Sequence, residues 1–374
     1  MKITKTLLAL TLIQLGVSAQ AATVYDKDGT SFDIFGKINV NLVNDAAGAV
    51  ESSTTAGNHD NTVLSETRLG IAGRTKLTDN VYGIGVSEWQ MSDGDHSYSR
   101  VRYQYVGVDA QQFGTLTFGK GDSAYFTVAG ATDIYDYLDN RTNGYYDLGS
   151  DSADTRSGQL MYSLSALGWD FRFSLQTADD KVNNTCYNLN SGWAFAFSTR
   201  FSNTVSFAYG MEYLSLSYEK DDASSQNSMT YHFSSNFRND KTFLNGRKVG
   251  HMVNKGLAVS WGTLGDGLYV SFIYAATEYS NFAHHIYDYE LVGDYAFDCG
   301  LGLKSGIGIK TYKDTAIESN LNLGIYYKFA PNFKVYAEAQ IDCDASPEKL
   351  YSENYVKNQY LGENKYVLGA EYAF

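Results

Sequence analysis

The strongest constraint in this sequence is an alternation of apolar and other residues that extends over long segments. From Phe333 to Ile341 every second residue is apolar, and the residues between them are mostly polar or charged. Residues 321–329 and 34–42 repeat the pattern. Side chains alternate between two faces along a β-strand, so this period predicts strands with one apolar face. Comparable segments recur along the chain, which predicts an all-β protein.

Two architectures accommodate such strands. A soluble sandwich turns the apolar face inward, whereas a membrane barrel turns it toward lipid. Sandwich strands are usually about 5 or 6 residues long, and a tilted membrane strand needs about 9 to 11. The alternating segments approach the longer value, and their other face combines Gly, Lys, Arg and Glu, as a water-filled lumen allows. We therefore predict a transmembrane antiparallel β-barrel.

The connections between strands predict how many there are. Seven short turns alternate with longer polar segments such as 44–61 and 122–154. A barrel whose two ends lie on the turn side has one more loop than turns, so seven turns and eight loops join 16 strands. Residues 204–255 leave room for a further hairpin, which would make 18. The seven turns lie at residues 77–80, 110–114, 165–168, 202–204, 264–267, 298–300 and 330–332.

The N-terminus has the pattern of a secretory signal. Lys2 and Lys5 precede an apolar run over residues 7–17, and the small residues Ala19 and Ala21 follow it. The run is too short to span a bilayer, which takes about 20 residues. We predict a cleaved signal peptide over residues 1–21 and one transmembrane β-barrel domain over residues 22–374.

Composition and motifs exclude several classes of function. With 29 basic and 42 acidic residues the net charge is −13, which argues against a nucleic-acid partner. No apolar run beyond the N-terminus is long enough for a membrane helix. The only adjacent histidines, His284 and His285, would point to opposite faces of a strand and chelate a metal poorly. We predict no cofactor, no metal site and no enzymatic activity, with a barrel hydrolase as a distant alternative.

Several segments resemble the general diffusion porins of Gram-negative bacteria. The closing residues alternate up to a terminal Phe374 with Tyr372 two positions before it, as in that family's last strand. The resemblance covers the chain from residue 22 onward. The other matching segments are Val24 to Gly29, Phe35 to Lys37, Thr67 to Gly70 and Arg102 to Gly107.

The resemblance implies a trimeric, sixteen-stranded barrel in the outer membrane, in which small hydrophilic solutes and ions diffuse passively through a water-filled pore. It implies a third loop that folds into the lumen and narrows it. The implied partners are two further copies of the chain, outer-membrane lipid and lipopolysaccharide, and the barrel assembly machinery. The family's last strand is also its assembly signal, which assigns that role to Tyr372 and Phe374.

The family's basic constriction cluster carries over to four residues. Lys37 lies opposite the apolar face of residues 34–42, Arg68 lies opposite Leu69, and Arg102 lies opposite Tyr103 and Tyr105 if the strand is regular. In a regular strand the fourth match would point to the same side as residues that should face lipid. It can face the lumen only if the strand contains a bulge or the alignment is different. The four candidates are Lys37, Arg68, Arg102 and Arg156.

The acidic side of the constriction is predicted on the third loop. Ala131-Thr132-Asp133 resembles the family motif, which makes Asp133 the first candidate. The Pro-Glu-Phe-Gly-Gly that follows in enterobacterial members is absent, so Asp136 is assigned by proximity alone. Bases on the wall and acids on the loop would set up a transverse field, and pore width and charge would determine selectivity.

A substrate-selective channel is the alternative to a general one. Five tyrosines in the third-loop region would suit a track of aromatic side chains that binds a preferred solute. A purely structural barrel would instead have a plugged lumen and no conductance. The five tyrosines are Tyr125, Tyr135, Tyr137, Tyr145 and Tyr146.

Overall fold

The fold is built almost entirely from long antiparallel strands. The computed structural model describes residues 21–44, 62–92, 99–138, 145, 155–178, 187–201, 204–218, 249–280, 284–358 and 360–374. The strands are β1 (Ala22–Lys27), β2 (Thr30–Val43), β3 (Thr62–Thr78), β4 (Val81–Ser92), β5 (Ser99–Asp109), β6 (Thr115–Gly121), β7 (Arg156–Ala166), β8 (Trp169–Gln176), β9 (Tyr187–Phe201), β10 (Val205–Tyr218), β11 (Val249–Thr263), β12 (Asp266–Tyr279), β13 (Ile286–Ala296), β14 (Leu301–Tyr312), β15 (Thr315–Ala330), β16 (Phe333–Asp342) and β17 (Lys365–Ala373). Two short helices are α1 (Phe126–Ala129) and α2 (Glu353–Asn358). The predicted signal peptide lies almost wholly outside the described residues and stays a prediction.

The sheet closes on itself into a barrel. Each strand from β2 to β17 pairs antiparallel with the next, and β17 pairs with β2 from Val367↔Val43 to Ala373↔Lys37. The ring therefore contains the predicted 16 strands. The additional strand β1 forms a hairpin with the first residues of β2 and continues along the same edge beyond the end of β17. The predicted transmembrane antiparallel barrel is confirmed.

The alternative of 18 strands is wrong. β10 and β11 pair directly over their whole length, from Val205↔Trp261 to Ser217↔Val249. No further strand of the ring can therefore lie between them, whatever the conformation of residues 219–248, which are outside the described part of the chain.

The seven predicted turns all join consecutive strands at one end of the barrel. The connections at the other end are mostly longer, but β14 and β15 are joined there by Lys313 and Asp314 alone. Both residues have left-handed backbone angles, with φ of 51° and 63°. A two-residue turn of this kind matches the twist of the flanking strands, so this loop is as tight as the turns opposite.

Over residues 38–42 of β2 the apolar residues point out of the barrel and the polar residues point into it. In β2, Ile38, Val40 and Leu42 are 42–44% exposed, whereas Asn39 and Asn41 are 4% and 2% exposed. This arrangement is the reverse of a soluble sandwich and suits a wall between lipid and water. No helix within the described residues is long and apolar enough to cross a membrane.

Two bulges change the side-chain parity that the sequence predicts. In β5 the register shifts so that Glu88 pairs with Tyr103 and Trp89 pairs with Val101, leaving Arg102 as the extra residue. As a result Arg102 and Tyr103 are both buried inside the barrel. The predicted outward orientation of Tyr103 is therefore wrong, because a bulge breaks the alternation on which it relied.

The second bulge resolves the ambiguous parity of Arg156. The register between β6 and β7 shifts between Gly119↔Gln159 and Gly121↔Arg156. Gly158 lies inside the bulge with a φ of +61°, a conformation that L side chains rarely adopt. The bulge brings the Arg156 side chain to the inner face, and this is one of the two explanations that the sequence left open.

Residues 343–358 and 360–364, which we call the cap, lie between β16 and β17 and fold back onto the inner face of the barrel. Leu350 of the cap is fully buried and Tyr351 nearly so. The Tyr351 hydroxyl donates a hydrogen bond to Glu318 Oε1 at 3.1 Å. The cap covers an apolar patch at the loop end of the lumen, formed by Leu189, Leu214, Leu216, Met252, Tyr279, Ile286, Tyr312 and Ile317.

The closure of the ring depends on a close approach at Gly36. The Phe374 amide donates to the Gly36 carbonyl at 3.0 Å, and the Gly36 amide donates to the Phe374 carbonyl at 2.8 Å. A Cβ atom on Gly36 would lie 2.3 Å from the Arg68 carbonyl oxygen and 2.9 Å from the Phe374 ring. Only glycine fits here without moving backbone.

We expect Gly36→Ala to destabilise the folded barrel by about 1–3 kcal/mol, the usual cost of overpacking. Gly73→Ala is the matched control, because nothing lies within 4 Å of a Cβ at that position in β3. Urea unfolding in detergent micelles measures both. Equal midpoints for the two variants would contradict the role assigned to Gly36.

Candidate functional site

A row of paired charges lies on the inner face of β2, β3 and β17. Lys37 and Arg68 are directly opposite each other in the β2–β3 ladder. The Lys37 ammonium lies 2.8 Å from Glu371 Oε2, and Arg68 Nε lies 2.9 Å from Glu66 Oε1. All four side chains are partly exposed. The structure thus brings the first two predicted bases together, each with a carboxylate beside it.

Arg102 extends this row to β5. Its Nε atom lies 3.5 Å from Glu88 Oε1 on β4. The positive charges of Arg68, Lys37, Arg102 and Arg100 all stabilise the Glu66 carboxylate, which places these bases in one electrostatic cluster. We call Lys37, Arg68 and Arg102 the basic wall.

Arg156 does not join the basic wall. Its Nε and Nη2 atoms donate to the two Glu212 oxygens at 3.2 and 3.1 Å, and Nη2 also donates to the Tyr145 carbonyl at 2.7 Å. Its guanidinium lies 4.1 Å from the centre of the Tyr145 ring. A bidentate, fully buried pair of this kind holds β7, β10 and Tyr145 together. Its position favours a structural role for Arg156.

Residues 122–138, which we call the inserted segment, run along the inner face of the barrel. The Ala124 amide donates to Ser174 Oγ on β8 at 3.2 Å. Farther along, the Tyr269 hydroxyl on β12 donates to the Ala131 carbonyl at 2.7 Å, and Thr132 hydrogen-bonds Glu290 on β13. The helix α1 contacts β9, β10 and β11 between these points. The segment therefore follows the wall from β8 through β13.

Its last residues reach β14 to β17. Asp136 Oδ2 lies 2.8 Å from the Lys304 ammonium on β14, and Oδ1 pairs with Lys334 on β16. Tyr137 and Leu138 pack in an apolar cluster with residues of β2, β15, β16 and β17.

The Asp136 carboxylate is stabilised by its two lysine partners. Burial opposes its ionisation, but the two ammonium groups outweigh that effect and hold the pKa of Asp136 below its ordinary value. These ion pairs therefore persist above the ordinary aspartate pKa and are lost only as the pH falls through the lowered value.

Glu338 is the main polar anchor of the inserted segment. Its Oε1 accepts from the Asp136 amide at 2.7 Å, and its Oε2 accepts from the Tyr137 and Leu138 amides at 2.9 and 2.8 Å. Three successive backbone donors thus converge on one buried carboxylate. Hydrogen bonds to a charged acceptor are worth about 1.5–3 kcal/mol each, so this contact fixes the segment strongly.

Asp133 differs from Asp136 in its surroundings. It directly follows a turn of 3-10 helix over Gly130–Thr132, and it is exposed. Its carboxylate makes no hydrogen bond or ion pair with any residue that the structure describes. Of the two predicted acids, Asp133 therefore presents an uncompensated charge, and Asp136 is used to hold the segment.

The tyrosines of this region are buried and do not line an open path. Tyr125, Tyr135, Tyr137 and Tyr145 are each less than 9% exposed. Burial raises the pKa of the Tyr125 and Tyr145 hydroxyls well above the ordinary value. The Tyr125 side chain packs over Gly210 and Gly256 of β10 and β11, where a Cβ atom would lie 3.2 Å from its ring and 2.8 Å from its hydroxyl oxygen, respectively. Tyr146, the fifth tyrosine of the predicted track, lies outside the described residues.

Several charged residues of this site were missed in the sequence. Glu66 lies two residues from Arg68 on the same strand, and Glu371 alternates with the outward-facing residues of the closing strand. Alternation alone therefore marks both glutamates as lumen-facing, like Arg68 and Lys37. Their pairing partners depend on register, and in the case of Glu371 on the closure of the ring. Glu338 and Lys334 also follow from parity, but nothing in the sequence indicates that the inserted segment would end on them.

The chain was compared with known proteins. A family model described as "Gram-negative porin" matches residues 6–342. Outer membrane protein U of Vibrio parahaemolyticus is 25% identical over 97% of this chain and 99% of its own length. The solved OmpF of Salmonella typhi, in complex with daunomycin, covers 94% of this chain at 18% identity, with a TM-score of 0.69 over its full length. A trimer form of OmpT from Vibrio cholerae covers 93% at 17% identity, with a TM-score of 0.62 over its full length.

We expect Glu338→Ala to release the end of the inserted segment, because three amides lose a charged acceptor. The substitution should raise amide hydrogen exchange in residues 134–138 by at least about tenfold, which corresponds to roughly 1.4 kcal/mol. Glu348→Ala is the control, since Glu348 is exposed in the cap. Hydrogen-exchange mass spectrometry of the two variants decides the matter, and unchanged protection in Glu338→Ala would contradict the anchor.

Proposed function

This chain belongs to the Gram-negative porin family, and we propose that its pore is narrowed between the inserted segment and the basic wall. The protein forms a water-filled channel in the outer membrane through which small polar solutes and ions diffuse passively. In our proposal Asp133 faces the path from the segment, Lys37 and Arg68 face it from the strands, and the buried Arg102 adds its charge from beside them.

The observation that carries this proposal is the course of the inserted segment. It follows the wall from β8 to β17, whereas the three bases lie on β2, β3 and β5, outside most of that arc. A solute that passes the segment must therefore pass close to the bases. The exposed carboxylate of Asp133 adds an acceptor and a negative charge on the segment side.

Such a passage selects solutes by size and polarity without an energy source. A polar solute can exchange part of its hydration shell for hydrogen bonds to guanidinium, ammonium and carboxylate groups. An apolar solute displaces the same ordered water and forms no equivalent bonds, so its passage costs more free energy. Low-dielectric walls focus the field of the lining charges, which makes them effective in a narrow lumen.

Two other functions are less well supported. A substrate-selective channel with a tyrosine track would need exposed rings, and the four described tyrosines of the predicted track are buried. The family and the fold point to a non-enzymatic channel. A general diffusion channel is the function that requires no additional binding or catalytic site.

The remaining partners follow from family membership and are part of the proposal. We propose a homotrimer in contact with outer-membrane lipid and lipopolysaccharide, and the similar OmpT structure from Vibrio cholerae is described as a trimer form. Residues 1–21 would be removed on export. Tyr372 and Phe374 would serve as the assembly signal, and the two rings stack at a centroid distance of 6.5 Å at the end of the closing strand.

The proposed constriction predicts the effect of Asp133 on ion selectivity. Asp133→Asn should lower the cation-to-anion permeability ratio about two- to fivefold, and Asp133→Lys should lower it further, as expected for one charge in a wet pore. Asp79→Asn is the control, because Asp79 is an exposed carboxylate in the β3–β4 turn. Reversal potentials in a potassium chloride gradient across a planar bilayer provide the measurement. If Asp133→Lys leaves the reversal potential unchanged, Asp133 does not face the path.

The proposed assembly role predicts a graded effect at the C-terminus. Deletion of Phe374 removes both main-chain hydrogen bonds to Gly36 and the ring, whereas Phe374→Ala removes the ring alone. We expect the deletion to abolish heat-resistant oligomers in the outer membrane and Phe374→Ala to reduce their amount. Gel mobility of unheated membranes reports the outcome, and normal oligomers from the deletion variant would refute the proposal.

A further inference from the structure

The three bases of the basic wall share a feature that the expected transverse field does not include. Each has a carboxylate within 3.5 Å on its own or an adjacent strand, namely Glu371 for Lys37, Glu66 for Arg68 and Glu88 for Arg102. These three acids lie on the wall itself, not on the inserted segment. The wall therefore carries as many negative as positive charges in these pairs.

The pairing changes how the wall acts on a passing ion. An isolated charge has a potential that falls with the inverse of distance, whereas two opposite charges at contact form a dipole whose potential falls more steeply. An ion in the middle of the lumen would therefore experience little net field from a paired base. Removing one carboxylate would leave a full positive charge in the same place.

The carboxylates of Glu66 and Glu371 are held in position by further contacts of their own side chains. Glu66 accepts a hydrogen bond from Gln90, and Glu371 lies 3.3 Å from Lys334 as well as 2.8 Å from Lys37. The six paired side chains span exposures from 2% to 22%, and the more exposed pairs, those of Arg68 and Lys37, are within reach of water and solute. The pairs are thus ordered features of the lumen surface.

We propose that Glu66, Glu88 and Glu371 determine the charge selectivity of the channel by neutralising the basic wall. The proposal rests on the constriction described above and adds three specificity-determining residues to it. In this arrangement Asp133 is the exposed charge without a described partner, which gives the constriction a mild preference for cations. The strength of that preference is set by the paired acids on the wall.

The test is a set of charge-neutralising variants in the full-length protein. We compare three single glutamate variants, Glu66→Gln, Glu88→Gln and Glu371→Gln, with Arg68→Gln and with the double variant Glu66→Gln/Arg68→Gln.

The readout is the reversal potential in a potassium chloride gradient across a planar bilayer. Glu278→Gln serves as the control, because Glu278 is a half-exposed carboxylate between the buried Thr277 and Tyr279 and so lies on the outer face of β12.

We expect Glu66→Gln and Glu371→Gln to shift the permeability ratio toward anions by about fivefold, the order of one unit charge in a wet pore. Glu88→Gln should shift it in the same direction. Arg68→Gln should shift it toward cations, and the double variant should return close to the wild-type value because it removes a whole ion pair. A purely structural role for the pairs would change oligomer stability but would not produce opposite shifts that cancel.

Three outcomes overturn the proposal and are distinguishable. If Arg68→Gln shifts the ratio but the glutamate variants do not, the bases act unpaired, and the constriction stands without this inference. If none of the variants shifts it, the basic wall does not line the path, and the constriction fails as well. If Glu66→Gln does not assemble, the difference between Arg68→Gln and the double variant measures the effect of the same carboxylate, and equal ratios there overturn the proposal.

Discussion

The structure depends on one constraint: backbone N–H and C=O groups that face lipid must find partners within the protein. An unpaired strand edge in hydrocarbon costs several kcal/mol for each group, so a membrane sheet must close. Here closure joins residues from the two ends of the chain, with β17 paired to β2 and Phe374 bonded to Gly36. Gly36 supplies the close approach that this junction needs, and β1 occupies the rest of the β2 edge. The position of each lumen-facing side chain follows from that closed register.

Closure with sixteen strands creates a second problem, because a barrel of this size leaves a wide lumen. The chain fills part of it with its own connections. The inserted segment is held to the wall by Glu338, Lys304 and Lys334, and the cap is held by an apolar patch near the loop ends of β9 to β15. Both elements lie against the same arc of strands. In the proposed channel the path through the lumen therefore lies toward β2–β5, where the basic wall lies.

Alternation in the sequence was sufficient to predict the architecture, since period two fixes which residues of a regular strand face lipid. It was insufficient wherever the period breaks. Arg102 and Tyr103 face the same way because a bulge lies between them, and Arg156 reaches the lumen through a bulge at Gly158.

The pairing partners of the charged residues could not be predicted either, because Lys37 and Glu371 are 334 residues apart and meet only when the ring closes. The end of the inserted segment lacks the family motif, so nothing local indicated that Asp136 would turn to Lys304 and Lys334.

These contacts connect the inserted segment to the basic wall through a chain of alternating charges. Asp136 pairs with Lys334, Lys334 lies 3.3 Å from Glu371, and Glu371 pairs with Lys37. Lys334 is thus shared between the carboxylate that holds the segment and the carboxylate that neutralises the wall. A change in one pair alters the balance of the other, because each charge in such a network is stabilised by its neighbours. If the proposed constriction is correct, the width of the pore and its charge are therefore properties of one network, and a substitution at these residues that alters one also alters the other.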